Sequence, residues 1–385
     1  MSARSLSFHL TTVACLAAAS VSSLAQDTGA ANQAALAYAN VATNLNSIRT
    51  FAEAPKNFNP LTAGDEDLAV YGFPARPDPQ AEPQHYAMWE RAMQAAKIRW
   101  NGNLTALPAQ TKASDSMLAG TAMTASDVSE SLPAKPTSLN WAGAVLTKNL
   151  SAWSKKSSFR DIYSLITVPV GQPAFEGGCD YYTQLSFVGL NGYVKNAAIQ
   201  PGSAGTLMGG VWAISNCSRA DTRYSAAFGW NPSLIQSAFQ LNPGDIFYTE
   251  VGAPPSGTQP SYLFIEDLTT LTYSTYSVSI PIGNTFIGNT AEWIVERRCC
   301  GNTGYPFPLL NTIDNFFDGG AALDNAGKTL YPGSQATSTE VLTMRDDANN
   351  QNIELIYQGS SGYEGNHSLL LQTTGCAFSG PCVKR

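Results

Sequence analysis

From Leu139 onward the chain is a succession of short runs rich in β-branched and aromatic residues, each cut off by Gly, Pro, Asn or Ser. The runs are Ala142–Leu146, Asp161–Val168, Thr183–Leu190, Thr206–Ile214, Ile246–Val251, Tyr262–Ile265, Ser274–Ile280, Ala291–Glu296, Glu340–Met344 and Ile353–Tyr357. Strands at this spacing, with turn residues between them, predict an all-β sandwich or barrel. Only Ser233–Phe239 has the spacing of a helical turn, and no solenoid or propeller period is present. Residues 137–385 are therefore expected to form one all-β domain.

One run stands apart chemically. In Asn289-Thr-Ala-Glu-Trp-Ile-Val-Glu296, alternation puts Glu292, Ile294 and Glu296 on one face and Trp293 and Val295 on the other. A mid-strand carboxylate beside a Trp is either a paired or solvent-facing strand residue or a tuned acid/base. The run alone leaves both open.

The start of the chain bears on compartment. Arg4 precedes an apolar run, Leu10–Ala19, too short to span a bilayer, and Ser23-Leu24-Ala25 offers small residues for cleavage. Residues 1–25 read as a signal peptide, so a secreted, soluble protein is expected. Residues 26–136 lack Cys, are rich in Ala, Asn and Pro, and carry one helical pattern from Pro83 to Trp100 (Tyr86, Trp89, Met93, Ala96, Trp100). A segment of this kind between a signal and a Cys-containing domain reads as a propeptide. Beyond Cys15 of the signal, Cys179, Cys217, Cys299, Cys300, Cys376 and Cys382 form an even set, which in an oxidising compartment argues for disulfides of undetermined pairing.

Composition removes several functions. The net charge of −7 speaks against nucleic acid or an anionic membrane as partner. Charged residues are only 13% of the chain, so few paired carboxylates are exposed to protonation, and tolerance of acid is expected. After the signal only His85 and His367 remain, and His367 lies in a polar segment that reads as a surface loop. Serine and cysteine hydrolase triads lack their base, no nucleophile elbow or CxxC zinc pair is present, and Gln200–Gly205 has no phosphate-loop Lys. Carboxylates and amides remain. Glu292 and Glu296 have Cα atoms ~13 Å apart along a strand, which leaves a glycosidase pair open only if long side chains or a bulge close the gap.

At this point several stretches resemble the glutamic peptidases (eqolisins). Leu139-Asn-Trp-Ala-Gly-Ala-Val-Leu146 is similar to their first strand, and Ile166-Thr-Val-Pro169 to the next. Ser186-Phe-Val-Gly-Leu-Asn-Gly192 with Ala197-Ala-Ile-Gln-Pro-Gly202 resembles their Trp-Val-Gly-Ile-Asp-Gly segment and the Gln-Thr-Gly after it. Phe228–Pro232 and Leu241–Asp245 resemble a later aromatic strand and turn, and Ala291–Glu296 the stretch with the catalytic Glu. The matches keep family order over residues 139–345.

The resemblance implies a lectin-like (concanavalin-type) sandwich of two curved antiparallel sheets behind a signal and propeptide. It implies a monomeric acid endopeptidase acting on polypeptides, with Glu292 as general base/acid and Gln200 stabilising the oxyanion. It implies a substrate cleft lined by Trp141, Phe187, Asn191 and Trp230. Neither catalytic role requires His, metal or cofactor. Phe187, Asn191, Ala204 and Gly229 stand where the family has Trp, Asp, Asp and Glu. Two rival readings therefore stay open: a glycoside hydrolase using Glu292 and Glu296, and an inactive sandwich that binds peptide or glycan.

Overall fold

The computed structural model describes Asn32 and residues 35–107, 137–138, 140–172, 182–193, 205–215, 222–231, 234–254, 256, 260–298, 309–312, 314–334, 338–344, 353–359 and 367–373. The signal peptide, Gln200, Ala204 and all seven cysteines lie outside these residues.

An N-terminal layer contains β1 (Ile48–Thr50), α1 (Asp65–Tyr71), α2 (Pro83–Ala95), β2 (Ile98–Arg99) and β3 (Thr105–Ala106). The sandwich follows as β4 (Trp141–Thr147), β5 (Phe159–Thr167), β6 (Tyr182–Leu190), β7 (Thr206–Ser215), β8 (Arg223–Asn231), β9 (Leu234–Leu241) and β10 (Ile246–Gly252). It continues as β11 (Ser261–Asp267), β12 (Thr272–Val278), β13 (Thr290–Glu296), β14 (Asp314–Asp324), β15 (Ser338–Met344), β16 (Ile353–Gly359) and β17 (Ser368–Thr373).

These strands form two antiparallel sheets. The first runs β15-β4-β13-β6-β7-β8-β9, with β3 added at the β9 edge. The second runs β12-β11-β10-β5-β14-β17-β16, with β1 and β2 on the β12 edge. The Met344↔Ile353 pairing of β15 with β16 joins them. Alternation decides which side chains enter the space between the sheets. Trp293 and Val295 of β13 do so with Val188, Leu207 and Phe228, against Ile162, Phe247 and Leu263 of the second sheet. The spacing of the runs left sandwich and barrel open, and the structure is the all-β sandwich that the resemblance implied.

Three local expectations change. Leu234–Phe239 belong to strand β9, not to a helical turn. Between the pairs Ser225↔Gln240 and Ala227↔Ser237 strand β9 carries one residue more than β8, which breaks its alternation, so the apolar spacing imitates a helix. Helix α2 begins with Pro83 at its first turn, as its fixed φ favours, and buries His85, Trp89, Ala92 and Met93 on one stripe. It ends at Ala95 rather than Trp100, because Ile98–Arg99 pair in parallel with Thr272–Tyr273 and Trp100 N–H donates to Tyr273 O. His367 is buried, 2% exposed, its ring 3.8 Å from that of Tyr331, rather than on a surface loop.

The N-terminal layer packs on the outer face of the second sheet. Phe51, Leu68, Phe73, Trp89 and Met93 share a core with Tyr163, Tyr248, Tyr262 and Phe264. Within it lies a buried ionic cluster. His85 Nδ1 is 3.0 Å from Glu82 Oε2, and His85 Nε2 is 3.8 Å from Glu250 Oε2. Arg160 stands 3.8 Å from Glu82 and 3.5 Å from Asp161.

Candidate active site

The outward face of the first sheet holds the candidate residues. Strand register sets a straight row across it: Glu340, Val145, Glu292, Gly189, Met208, Gly229, Ile235. Asn231 of β8 lies in the register row of Thr206, level with the Thr290 end of β13, while Glu296 lies at the other end. On a flat sheet these residues would be more than ~20 Å apart, yet Asn231 Nδ2 donates to Glu296 Oε2 at 2.7 Å. The sheet therefore curls over this face, which is its concave one. Leu185, Phe187, Met208, Trp212 and Ile294 line the bowl.

Glu292 sits in this bowl fully buried. Its Oε1 accepts from Gly192 N–H at 2.8 Å, Tyr193 N–H at 2.9 Å and the Thr290 hydroxyl at 2.5 Å. Its Oε2 has no hydrogen-bond partner among the described residues. Burial raises Glu292 to about 7, while the bonds from Thr290, Gly192 and Tyr193 pull it down. Room for Oε2 comes from Gly189 on the neighbouring strand. A Cβ there would collide with Thr206 and stand 3.2 Å from Oε2. The carboxyl is thus asymmetric, with one oxygen held by three donors and the other buried without a hydrogen-bond partner among the described residues.

The other expected residues divide. Trp141 and Phe187 do share the concave face with Glu292, packed edge-to-face with ring centroids 5.8 Å apart. Their register partners are Glu296 and Ile294, and the Trp141 ring reaches to 3.2 Å from where a Cβ on Gly192 would stand, beside an amide that holds Glu292. Trp230 is not brought to the site. Its parity in β8 sends it into the core between the sheets, fully buried. Asn191 is close to the site but does not face a cleft. Its Oδ1 accepts from Ile287 and Gly288 N–H, and its Nδ2 donates to Gly205 O. Glu296 is buried and holds Asn231 rather than forming a rim.

Several contributors escaped the sequence reading. Thr290 is two residues before Glu292 and on its face, so alternation alone would have found it. The Gly192 and Tyr193 amides come from the turn after β6, and only an Asn-Gly turn signal marked them. Glu340 accepts the Tyr193 hydroxyl at 2.5 Å, a pairing across 147 residues that nothing local announces. A cavity of about 360 Å³ between the N-terminal layer and β12, lined by Asn44, Phe51, Arg99, Asn103 and Tyr276, contains none of these residues.

The solved structures most like this one include three glutamic peptidases. Scytalido-glutamic peptidase with a transition state analog inhibitor has a TM-score of 0.44 and 18% identity, covering 61% of this chain and 98% of its own. SCP-B, an eqolisin in complex with the tripeptide Ala-Ile-His, has a TM-score of 0.41 and 17% identity over the same shares. Aspergilloglutamic peptidase from Aspergillus niger has a TM-score of 0.38 and 21% identity, covering 50% of this chain and 99% of its own. No curated protein sequence matches the chain. The profile of the Peptidase A4 family matches residues 139–358, more than half of the chain and all of the concave-face row, and the chain belongs to that family, the glutamic-type peptidases.

Proposed function

We propose that this peptidase is an exported endopeptidase in which Glu292 moves the protons of peptide hydrolysis and Gln200 stabilises the oxyanion. The observation that carries the reading is a buried carboxyl whose Oε1 is held by three donors while its Oε2 has no hydrogen-bond partner among the described residues. Burial keeps Glu292 neutral below about 7. In the acid range the cycle therefore begins with a proton on Oε2, an acid poised near its working pH. Oε2 gives this proton to the scissile carbonyl oxygen as water attacks the carbon, and the carboxylate takes a proton from that water. The product is a tetrahedral diol. Glu292 then protonates the amide nitrogen as the C–N bond breaks, and it recovers a proton from a diol hydroxyl as the new carboxylic acid forms. Gln200, in the part the resemblance assigns to it, donates to the same substrate oxygen while charge develops there.

The test is kcat/KM on an unfolded protein substrate between pH 2 and 8. Activity is expected in the acid range, falling about tenfold per pH unit above ~7, the slope of a single ionisation. Glu292→Gln is expected to lower it by about 10²–10⁴-fold, the usual contribution of a positioned acid/base. A Glu292→Gln protein hydrolysing at the wild-type rate would end the reading. No observation favours a Glu292/Glu296 glycosidase pair, since Glu296 is engaged by Asn231.

The proposal includes the chain's organisation as a signal peptide (1–25), propeptide (26–136) and peptidase domain (137–385). Loss of the propeptide would bare Tyr163, Tyr248, Tyr262 and Phe264, which share a core with it. Acid-treated protein is expected to begin near residues 130–140, and N-terminal sequencing of an active sample checks this.

A further inference from the structure

Asn191 anchors the turn that holds Glu292. Asn191 ends β6 with φ 71, a left-handed conformation that Asn tolerates better than most residues. Its N–H donates to Thr290 O at 3.1 Å. Its Oδ1 accepts from Ile287 N–H at 2.6 Å and Gly288 N–H at 3.1 Å, and its Nδ2 donates to Gly205 O at 3.1 Å. Two amide donors on one side and a carbonyl on the other fix which way the side-chain amide points. The next two residues supply the N–H groups that hold Glu292 Oε1.

We propose that Asn191 is a positioning residue for the reaction: by clamping three backbone groups it aims the Gly192 and Tyr193 amides at Glu292, and it does so independently of pH because its donor does not ionise. The proposal deepens the Glu292 reading and rests on it for its kinetic consequence. It is specific to an amide. A carboxylate at this position would still accept from Ile287 and Gly288, but its other oxygen would oppose the Gly205 carbonyl and could donate to it only when protonated.

Among the described residues, the charged and titratable groups on the surrounding elements are few. Glu292 of β13 lies beyond Thr290, and Tyr193 with Glu340 lies on the far side of the turn. Lys148 and Asp324, 2.7 Å apart, stand beyond Phe159, whose N–H donates to Gly288 O. An ionised carboxylate at residue 191 would by itself raise Glu292 further and extend the acid-form activity to higher pH. A loss of activity near neutrality therefore reports the clamp and not a displaced Glu292 ionisation.

The experiment compares wild type, Asn191→Asp and Asn191→Gly. Asn191→Asp is expected within about threefold of wild-type kcat/KM at pH 3 and at least about tenfold below it at pH 6.5, a loss suited to one misplaced hydrogen-bonded contact. Asn191→Gly keeps the left-handed backbone without the clamp, so its ratio to wild type should be low and constant across pH. Melting temperatures give a readout that needs no activity. The gap between Asn191→Asp and wild type should open by several degrees from pH 3 to pH 6.5. Should Glu292→Gln leave proteolysis intact, the function proposed above fails while this melting gap still decides the clamp. A ratio and a melting gap for Asn191→Asp that stay flat with pH would overturn the inference.

Discussion

Glu292 and Glu250 are both fully buried strand carboxylates, and their surroundings differ in kind. Glu250 lies under the N-terminal layer, where Asn32 Nδ2 donates to Oε1 at 3.0 Å and the Tyr248 hydroxyl donates to Oε2 at 2.8 Å. The His85 ring stands 3.8 Å from it and is itself paired with Glu82. Both oxygens are used and an opposite charge is at hand. Glu292 has three neutral donors on one oxygen, none on the other among the described residues, and no ion pair among those described. A buried carboxyl with every lone pair answered is a structural tie. One that is held firmly but half-open can exchange a proton with a substrate. On the function proposed above, this is why the same residue type, equally buried, serves the architecture in one sheet and chemistry in the other.

The contrast can be broken by substitution. After Glu292→Gln, the largest effect expected is on stability, at the other site. Removing one member of a buried ion pair costs about 3–5 kcal/mol, and His85 keeps Glu82, so Glu250→Ala should lower the unfolding free energy of the unprocessed chain by up to about that amount. Activity per folded molecule should stay near wild type. A Glu250→Ala protein of unchanged stability, or one that is folded but inactive, would erase the distinction.

The next effect is on pH dependence. Burial pushes His85 down, but the neighbouring Glu250 and Glu82 more than reverse this and take it up to about 9. A histidine raised on folding contributes stability below its unfolded value near 6.5, and this is lost as pH rises through 9. The loss should be about 3 kcal/mol between those limits. Asp161 acts in the same direction. Burial raises it to about 7 in spite of Arg160, so its contribution is present below its ordinary value of 3.8 and lost as pH rises through 7. Melting temperatures of the unprocessed chain should therefore hold or rise from pH 7 to pH 4 and fall between pH 6.5 and pH 9. This is the acid tolerance expected from the low charge, with a second cause. A collapse between pH 7 and pH 4 would contradict both.

The smallest effect sharpens the Glu292 side. The Thr290 hydroxyl lowers Glu292 by bonding its Oε1. Thr290→Val removes that bond and keeps the shape, so the alkaline limb of kcat/KM should move up by about one pH unit, the equivalent of one hydrogen bond. A limb that moves down would mean that Oε1 is not the held oxygen.

Much of this was legible in the sequence. The all-β class followed from the spacing of the runs and the sandwich from the resemblance, and the sharing of one face by Glu292, Ile294 and Glu296 followed from alternation along a single strand. The strands β14 and β17 were not foreseen. In β14 a register irregularity between Asp318 and Ala321 and the pair Gly319-Gly320 interrupt the alternation that identifies a strand. Trp230 illustrates a different limit. Its place in an aromatic strand was recognisable, but which side of that strand faced the bowl depended on the register of β8 with its neighbours.

What the sequence by itself determined was parity, strand content and the poverty in histidine that left carboxyl and amide chemistry. What only the tertiary structure decided was which face of the first sheet is concave, that a turn about a hundred residues from Glu292 supplies its amide donors, and that Asn191 is a clamp and not a cleft wall. The physical reason is range. Alternation is a property of neighbouring residues in one chain segment, whereas desolvation, hydrogen-bond saturation and a shifted ionisation are set by strands that meet only after folding.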